Sequence, residues 1–411
     1  MTKKSFWRSP AVVSVIASVV AILIGMVVGT ILLFIFDSSN ALYGLKQLLT
    51  TGFRSTSLLG KVFYQAAPLM LTGLSVGFAF KTGLFNIGAS GQYVIGTLCA
   101  LMCGIVFQLP WWVCIIAAAI GGAVWGLFPG LFKALFNVNE VITSIMFNWI
   151  GLFLTNLICS NTPSILANYY GDINADRTAA LIKANPSAII PTLGLDKLMN
   201  STYMNMSIII TVIFAIIMWV VLTKTTFGYE LKACGSNRNA SIYAGINAKR
   251  NIVLSMVIAG ALSGLAGSIY YLSGTSAYVM SKTLPSMGFN GIPVALLANS
   301  NPIGTIFASL FISYIKVGGE YMQPEFAMEM VDIIIAAIIY LSAFSLLMRN
   351  LILKAMTGKK RAKEQPAAAA ETAAAVQPGD TGAGALPEEM KPEESVTEPG
   401  TETAKKGEDE A

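Results

Sequence analysis

Histidine is absent from this sequence of 411 residues, and charged residues make up only 12% of it. Without histidine, the chain cannot form a Ser-His-Asp triad, a zinc site with histidine ligands or a histidine proton relay. The five cysteines include no CxxC pair, and the phosphate-loop pattern GxxxxGK[ST] does not occur. We therefore expect no catalytic centre, no metal site and no ATP hydrolysis in this chain.

Long apolar runs dominate the sequence instead. Hydrophobic residues make up 55% of the chain, and the charged fraction is about half the ~25% that is typical of soluble domains. Each run is near the ~20 residues that cross a bilayer as a helix, although two are short. The predicted spans cover about residues 11–36, 62–80, 84–107, 111–132, 141–159, 206–222, 252–272, 284–298, 303–315 and 327–348.

These spans predict an all-α, polytopic membrane protein with about ten transmembrane helices over residues 1–356. The two short segments, 284–298 and 303–315, alternatively form one re-entrant hairpin, which leaves eight crossings. The first run is too long for the ~7–15-residue core of a signal peptide and lacks a clear cleavage site, so we expect it to be retained. Residues 357–411 are rich in Ala, Glu, Pro, Gly and Thr, a composition that predicts a disordered tail.

The positions of the basic residues predict the orientation. Lys3, Lys4 and Arg8 precede the first run, and ten crossings put the loop 224–250 on the same side as these residues. Basic residues accumulate in cytoplasmic loops, so we expect both termini in the cytoplasm of a bacterial cell. The net charge of +5 is explained by these loops, and no nucleic-acid partner is expected.

Two polar, glycine-bearing segments interrupt the apolar pattern: KTGLFNIGASGQ at 81–92 and GFNGIPVALLANSNPIG at 288–304. Irregular backbone at membrane depth is tolerated only where it is buried in protein or lines a wet cavity. The related FNIG and FNGI follow runs that end on opposite sides, which predicts two inverted five-helix repeats with a solute pathway between them. The alternative is a chance similarity of a few residues.

Seven side chains are candidates for this pathway. Asparagine and glutamine both donate and accept hydrogen bonds, as sugar hydroxyls and base edges require, and aromatic rings stack on bases. The alternative for each is a structural role, because amide side chains also bridge membrane helices. The candidates are Phe85, Asn86, Gln92, Asn148, Trp149, Phe289 and Asn290.

The loop between Thr223 and Asn251 is the longest internal loop on the predicted cytoplasmic side. Asn239 is positioned to cap a short helix, Ala240–Ala244, which Gly245 would end. Such a helix suits docking into a groove of a soluble partner. The alternative is an ordinary basic cytoplasmic loop.

Several segments together resemble one family. KTGLFNIGASGQ, NEVITSIMFNWIG at 139–151, FGYELKACGSNRNASIYAGI at 227–246 and GFNGIPVALLANSNPIG are similar to permease subunits of bacterial ABC importers for simple sugars and nucleosides. The similarity is greatest to nucleoside permeases that work with basic-membrane-protein-type lipoproteins. The resemblance covers most of residues 60–350. Two positions depart from the family pattern: Ser90 stands where Glu is usual, and Asn299 where Arg is usual.

The resemblance implies a type II-like importer permease embedded in membrane lipid and paired with a second, different permease. It implies two partner ATPase subunits, which hold ATP and Mg, and an extracellular nucleoside-binding lipoprotein, with no cofactor bound by this chain. It further implies that Gly235–Ala244 is the coupling helix, which sits in the ATPase cleft. The coupling residues are Gly235, Asn237, Arg238, Asn239, Ala240, Ser241 and Gly245.

The expected function is therefore transport of nucleosides, or of related ribose-containing solutes or simple sugars. The sequence does not choose among purine nucleosides, pyrimidine nucleosides and sugars. The alternative is an ion-coupled secondary transporter, which would place an acidic side chain near mid-membrane. Glu140 and Asp332 are the acids most embedded in apolar sequence, and we expect structural roles for both, with Glu140 capping its helix or pairing with Lys133.

Overall fold

The computed structural model describes residues 10–343 of the chain. This part is helical and contains no β-strand, only two isolated bridges that join Leu166 to Thr178 and Arg177 to Val279. The predicted tail, residues 357–411, lies outside the described residues, as does the end of the predicted last span. The helices are α1 Pro10–Phe36, α2 Ala41–Arg54, α3 Thr56–Lys81, α4 Ala89–Leu101, α5 Trp111–Phe136, α6 Glu140–Ser160, α7 Leu181–Ala184, α8 Leu195–Met199, α9 Ser207–Lys224, α10 Thr226–Ser236, α11 Arg238–Tyr243, α12 Ala248–Tyr271, α13 Ser286–Phe289, α14 Gly291–Leu297, α15 Pro302–Glu320 and α16 Met328–Ala343.

Seven helices in the described part are long and apolar enough to cross a membrane. They are α3, α4 with its π-helical extension to Val106, α5, α6, α9, α12 and α15. The count of ten spans that the sequence predicts is therefore not confirmed. Two shorter apolar helical stretches are Leu23–Phe36, which is the second half of α1, and Ser286–Leu297, which comprises α13 and α14. Helix α2 was not predicted from the apolar runs.

Asparagine side chains set several helix boundaries. The Oδ1 of Asn139 accepts from the backbone N of Val141 at 2.8 Å and caps α6. The Oδ1 of Asn301 likewise accepts from Ile303 N at 3.0 Å at the start of α15. Asn137 ends α5 in the left-handed conformation, with φ of 54°, which asparagine tolerates better than most residues. These polar residues fix where the apolar helices start and stop.

Helix α12 lies at the centre of the larger core and packs against α3, α4 and α5. Its contact with α5 depends on small residues, because a Cβ on Gly122 would lie only 2.8 Å from the Cα of Gly264. Close backbone approach of this kind replaces the hydrophobic drive that is missing between helices in lipid. The most apolar 18-residue stretch of α3 is 94% buried inside the protein, whereas that of α5 is 22% buried. Helix α3 therefore lies inside the bundle, and α5 lies at its periphery.

The two ends of the helix bundle carry different structures. Residues 161–206 and 272–285 pack together at one end, which we call the cap side; there Thr178 N donates to Tyr278 O at 2.9 Å. The Tyr278 hydroxyl donates to Asn156 Oδ1 at 3.2 Å, and burial raises the pKa of this tyrosine. Helices α10 and α11 lie at the opposite end, the α10 side. Helix α3 connects the two sides, because Gly60 contacts Ser201 and Lys81 contacts Gly235.

Candidate functional site

Two segments interrupt the pattern of long helices. The first interruption is residues 82–88, between α3 and α4. Its Asn86 is completely buried and forms a reciprocal amide pair with Gln92. Asn86 Nδ2 donates to Gln92 Oε1 at 2.9 Å, and Gln92 Nε2 donates to Asn86 Oδ1 at 3.1 Å. A buried amide without partners would cost about 1–3 kcal/mol. The pairing therefore stabilises non-helical backbone deep inside the protein.

Serine hydroxyls connect this amide pair to two long helices. Asn86 Nδ2 also donates to Ser75 Oγ on α3 at 3.0 Å. Ser263 Oγ on α12 donates to the same oxygen at 2.9 Å, and Ser75 Oγ donates to the carbonyl of Ala259 at 2.6 Å. Ala259 and Ser263 lie near the middle of α12. The polar network is thus at the level of the middle of the bundle.

Asn148 on α6 holds the other side of the first interruption. Its Oδ1 accepts from Gly91 N at 2.7 Å, and its Nδ2 donates to Ile87 O at 3.0 Å. The two bonds bridge the last residues of the interruption and the first turn of α4. A Cβ on Gly91 would lie 2.7 Å from the Cα of Asn148, so this close approach requires glycine.

The second interruption, residues 285–290, meets the start of α4, directly after the first interruption, inside the protein. We call this meeting point the contact between the two interruptions. Ser90 Oγ, in the first turn of α4, donates to the carbonyl of Pro285 at 3.1 Å. A Cβ on Gly288 would lie 2.8 Å from both the backbone N and the Cβ of Ser90. The first interruption begins next to Lys81 on the α10 side, and the second follows the cap-side segment. The two therefore approach their contact from opposite ends of the bundle.

The seven candidate pathway residues fall into three groups. Asn86, Gln92 and Asn148 are buried, and their amide groups bond within the chain. Phe85 and Phe289 are partly buried, as is Asn290, whose Nδ2 is buried without an acceptor in the described part of the chain. Trp149 points away from the contact: it is 42% exposed and stacks on Phe153 at 5.9 Å. Contact of these residues with a solute stays a prediction.

Sequence reasoning did not identify Ser75, Ser263 or Pro285 as neighbours of the interruptions. A serine within an apolar run is too common to single out, and its partners here lie 184 to 195 residues away or belong to another helix. The one sequence signal for this contact was Ser90 in the GASGQ motif, which we noted only as a departure from the family pattern.

The short helix of the 223–251 loop differs in register from the prediction. Asn237, not Asn239, is the cap: its Oδ1 accepts from Ala240 N at 3.0 Å, and the helix is α11, Arg238–Tyr243, not Ala240–Ala244. Gly245, with φ of 81°, follows the helix end as predicted. Asn237 is favoured because its extended backbone puts its side chain over the first turn, whereas Asn239 is already helical.

Helices α10 and α11 are held against the rest of the bundle by several contacts. A Cβ on Gly83, in the first interruption, would lie 3.1 Å from the Cα of Gly235. Arg238 Nη1 donates to Asn137 Oδ1 between α5 and α6 at 3.5 Å, and Glu230 on α10 accepts from Asn251 Nδ2 on α12 at 3.0 Å. Much of the remaining surface of α11 is exposed in the described part of the chain, with Tyr243 93% exposed. The segment is thus tied to the membrane helices on one face and open on the other.

The two embedded acids are both paired. Glu140 Oε2 lies 2.9 Å from Lys133 Nζ, as predicted, and joins α5 to α6. Asp332 on α16 lies 3.8 Å from Lys316 on α15. Neither acid is at the contact between the two interruptions. Across residues 10–343, no group of three or more His, Cys, Asp or Glu side chains is arranged to hold a metal ion.

Comparison with known proteins gives a consistent result. The family described as branched-chain amino acid transport system permease component matches residues 58–343. The guanosine ABC transporter permease protein NupP of Bacillus subtilis is 36% identical over 337 residues, 80% of this chain and 93% of NupP. The nucleoside ABC transporter permease protein NupB of Lactococcus lactis is 36% identical over 349 residues, 83% of this chain and 94% of NupB.

A second Bacillus subtilis permease is also similar. The guanosine ABC transporter permease protein NupQ is 26% identical over 258 residues, 61% of this chain and 77% of NupQ. Two permeases named for the same nucleoside in one organism therefore both resemble this chain. No solved structure matches the chain at a significant level.

Proposed function

Because the chain belongs to the family of branched-chain amino acid transport system permease components, we propose that it is the membrane-spanning permease of an ABC importer for nucleosides. The similarity to two nucleoside ABC permeases, over four-fifths of this chain and more than nine-tenths of each relative, carries the proposal. The chain is a transporter component and not an enzyme, so hydrolysis of ATP takes place on separate subunits.

The proposed pathway passes beside the contact between the two interruptions. Interrupted helices near the midplane, reached from opposite sides, are typical of transporters built from inverted repeats. The approach of the two segments from opposite ends of the bundle, and their contact at Ser90 and Gly288, support this arrangement. The ten-span topology with two five-helix repeats stays part of the proposal, with α1, the α13–α14 stretch and α16 as the additional crossings.

The proposed role of Asn86 and Gln92 is to hold the pathway wall in place. Their amide groups bond to each other, which favours positioning over direct contact with a nucleoside in this conformation. Asn290 is the better candidate for direct contact with a nucleoside, because its buried Nδ2 has no acceptor among the described residues. Phe85 and Phe289 remain proposed stacking surfaces for a base.

The α10 side is proposed to face the cytoplasm, and α11 to be the coupling helix that docks on the ATPase. Lys81, Lys133 and the basic residues of the 223–251 loop lie on this side, and the tendency of basic residues to accumulate in cytoplasmic loops supports the proposal. Two observations support coupling: the open face of α11 and the contact of α10 with the first interruption. A shift of α11 would move the adjoining α10, whose Gly235 lies against Gly83. ATP binding then changes the relative stability of outward-open and inward-open states.

The proposed partners are two ATPase subunits, which hold ATP and Mg, a second and different permease, and an extracellular nucleoside-binding lipoprotein. The existence of NupP and NupQ in one organism supports the second, different permease. The cap side would then face the lipoprotein.

Uptake of labelled nucleosides tests the proposal. Cells that carry the complete importer are compared with cells in which the phosphate-loop lysine of the ATPase partner is replaced by alanine. We expect uptake of guanosine or another nucleoside, saturable and lost in the ATPase variant, with no uptake of glucose. Nucleoside uptake that persists in the ATPase variant and collapses with the proton or sodium gradient would favour an ion-coupled transporter instead.

A further inference from the structure

A groove with a volume of about 360 Å³ opens on the α10 side, between the end of α5 and the start of α12. We call it the α5–α12 groove. It is separate from the contact between the two interruptions and from the exposed face of α11. Its lining residues are Ala134, Leu135, Asn247, Lys249, Arg250, Val253 and Leu254.

We propose that the α5–α12 groove binds an anionic phospholipid, with the phosphate at Lys249 and Arg250 and an acyl chain along the aliphatic wall. The inference goes beyond the proposed transport and depends only on α5 and α12 crossing the membrane. A basic pocket between transmembrane helices at the cytoplasmic boundary is a typical site for lipid headgroups.

The groove has a charged end and an apolar end. Lys249 and Arg250 are exposed in the first turn of α12. Val253 and Leu254 lie about one turn, roughly 5 Å, further along the helix, and Leu135 on α5 faces them across the groove. A phospholipid has the same division, with a charged headgroup next to apolar chains.

The two cations have no anionic partner in the described chain. Neither lies within 4.0 Å of a carboxylate of residues 10–343, as the four ion pairs there involve other residues. Of the acids on the neighbouring elements, Glu140 pairs with Lys133. Glu230 accepts from the neutral amide of Asn251 and forms no ion pair with either cation. An anion from outside the chain would therefore meet two uncompensated positive charges.

The apolar wall favours a lipid over a soluble anion. The Leu135 side chain is 58% exposed and the adjacent Phe136 is 70% exposed, both in the last turn of α5. Apolar side chains exposed beside cations are placed as in a membrane interface, where long basic side chains reach toward headgroups. A soluble phosphate would gain nothing from this wall, whereas an acyl chain would cover it.

Lipid titration of the full-length protein, purified with its partner subunits, tests the site. The complex is placed in phosphatidylcholine nanodiscs, and bound phosphatidylglycerol is counted by native mass spectrometry after release. We expect Lys249→Gln/Arg250→Gln to weaken phosphatidylglycerol binding by at least about tenfold, because each surface cation contributes about a fivefold factor. Leu135→Gln should weaken it more mildly with both cations in place.

The matched control is Lys46→Gln/Arg54→Gln on α2, which removes the same two charges from exposed positions and should leave the lipid count unchanged. Three results would overturn the proposal. The Lys249→Gln/Arg250→Gln variant could bind as much phosphatidylglycerol as the parent, phosphatidylcholine could occupy the groove as readily as phosphatidylglycerol, or inorganic phosphate could displace the bound phosphatidylglycerol. Loss of ATPase subunits from this variant with its lipid count intact would assign the two cations to the ATPase surface instead. None of these readouts requires nucleoside transport.

Discussion

Gly235, near the end of α10, lies directly against Gly83 in the first interruption. A Cβ on Gly235 would be 2.9 Å from the backbone N of Gly83 and 2.5 Å from the carbonyl O of Lys81. This backbone contact connects the surface segment proposed to bind the ATPase with the non-helical segment that leads to Asn86. A movement of α10 cannot leave the first interruption in place, because no side chain lies between them to absorb the displacement.

The first prediction concerns this contact. Gly235→Ala should reduce ATP-dependent nucleoside uptake by about tenfold or more, because overpacking of this kind costs about 1–3 kcal/mol and displaces α10 from the interruption. Membrane insertion and expression should remain normal. The neighbouring Ser236→Ala, at an exposed position, is the control and should keep full uptake. Normal uptake by Gly235→Ala would show that transport does not depend on the close approach.

The second prediction concerns the amide pair. Asn86→Ala and Gln92→Ala should each lower the unfolding free energy by about 1–3 kcal/mol, because each leaves a buried amide without its partner. The double variant should lose less than the sum of the two. Thermal unfolding of the purified protein in detergent measures the three changes. Asn161→Ala, at an exposed helix end, provides the control, and strict additivity of the two losses would contradict the pairing.

The third prediction concerns the contact between the interruptions. Gly288→Ala should abolish uptake and lower the melting temperature, since its methyl group would lie 2.8 Å from Ser90 Cβ. Gly77→Ala is the matched control, because its nearest neighbour, Ser300 Cα, is 3.4 Å away, an ordinary contact. That variant should be at least as stable as the parent, because alanine in place of glycine adds up to about 1 kcal/mol of helix propensity. Equal effects at the two positions would argue against a specific contact at Gly288.

The fourth prediction separates a structural acid from an ion-coupling acid. Asp332→Asn should destabilise the protein, because it leaves the largely buried Lys316 without its partner. Lys316→Met/Asp332→Asn should regain most of the stability and keep nucleoside uptake within about twofold, a fraction of 1 kcal/mol. Melting temperatures and initial uptake rates measure both effects. A double variant that is stable but fails to transport would favour ion coupling through Asp332.

Much of the fold follows from composition alone. Apolar runs of about 20 residues must form helices in a bilayer, because each backbone group has to be bonded within its own segment. Helices are accordingly found at all the long runs within the described residues. The prediction was less accurate for short elements: it missed α2, and it began the third span at residue 84, although α4 begins at Ala89. A helix of mixed polarity such as α2, or one that follows non-helical apolar residues such as α4, has boundaries that the apolar pattern predicts poorly.

The candidate site was predictable only as two segments. Their polar, glycine-rich letters mark backbone that lipid would not tolerate, so the sequence indicated where the interruptions lie. It did not indicate that Asn86 and Gln92 bond to each other, or that Asn148 is buried while Trp149 is exposed. Which side of a membrane helix faces the protein depends on its neighbours, and α6 has polar residues but no single polar face from which to derive this.

The sequence by itself determined that this is a multi-pass membrane protein of a permease family, since hydrophobicity and motif order do not depend on packing. Only the tertiary structure decided which polar groups satisfy each other, that Gly235 meets Gly83, and that Gly288 meets Ser90. The physical reason is distance along the chain. These contacts join residues that are 152 and 198 positions apart in the sequence, and they form only when several helices have packed against α12.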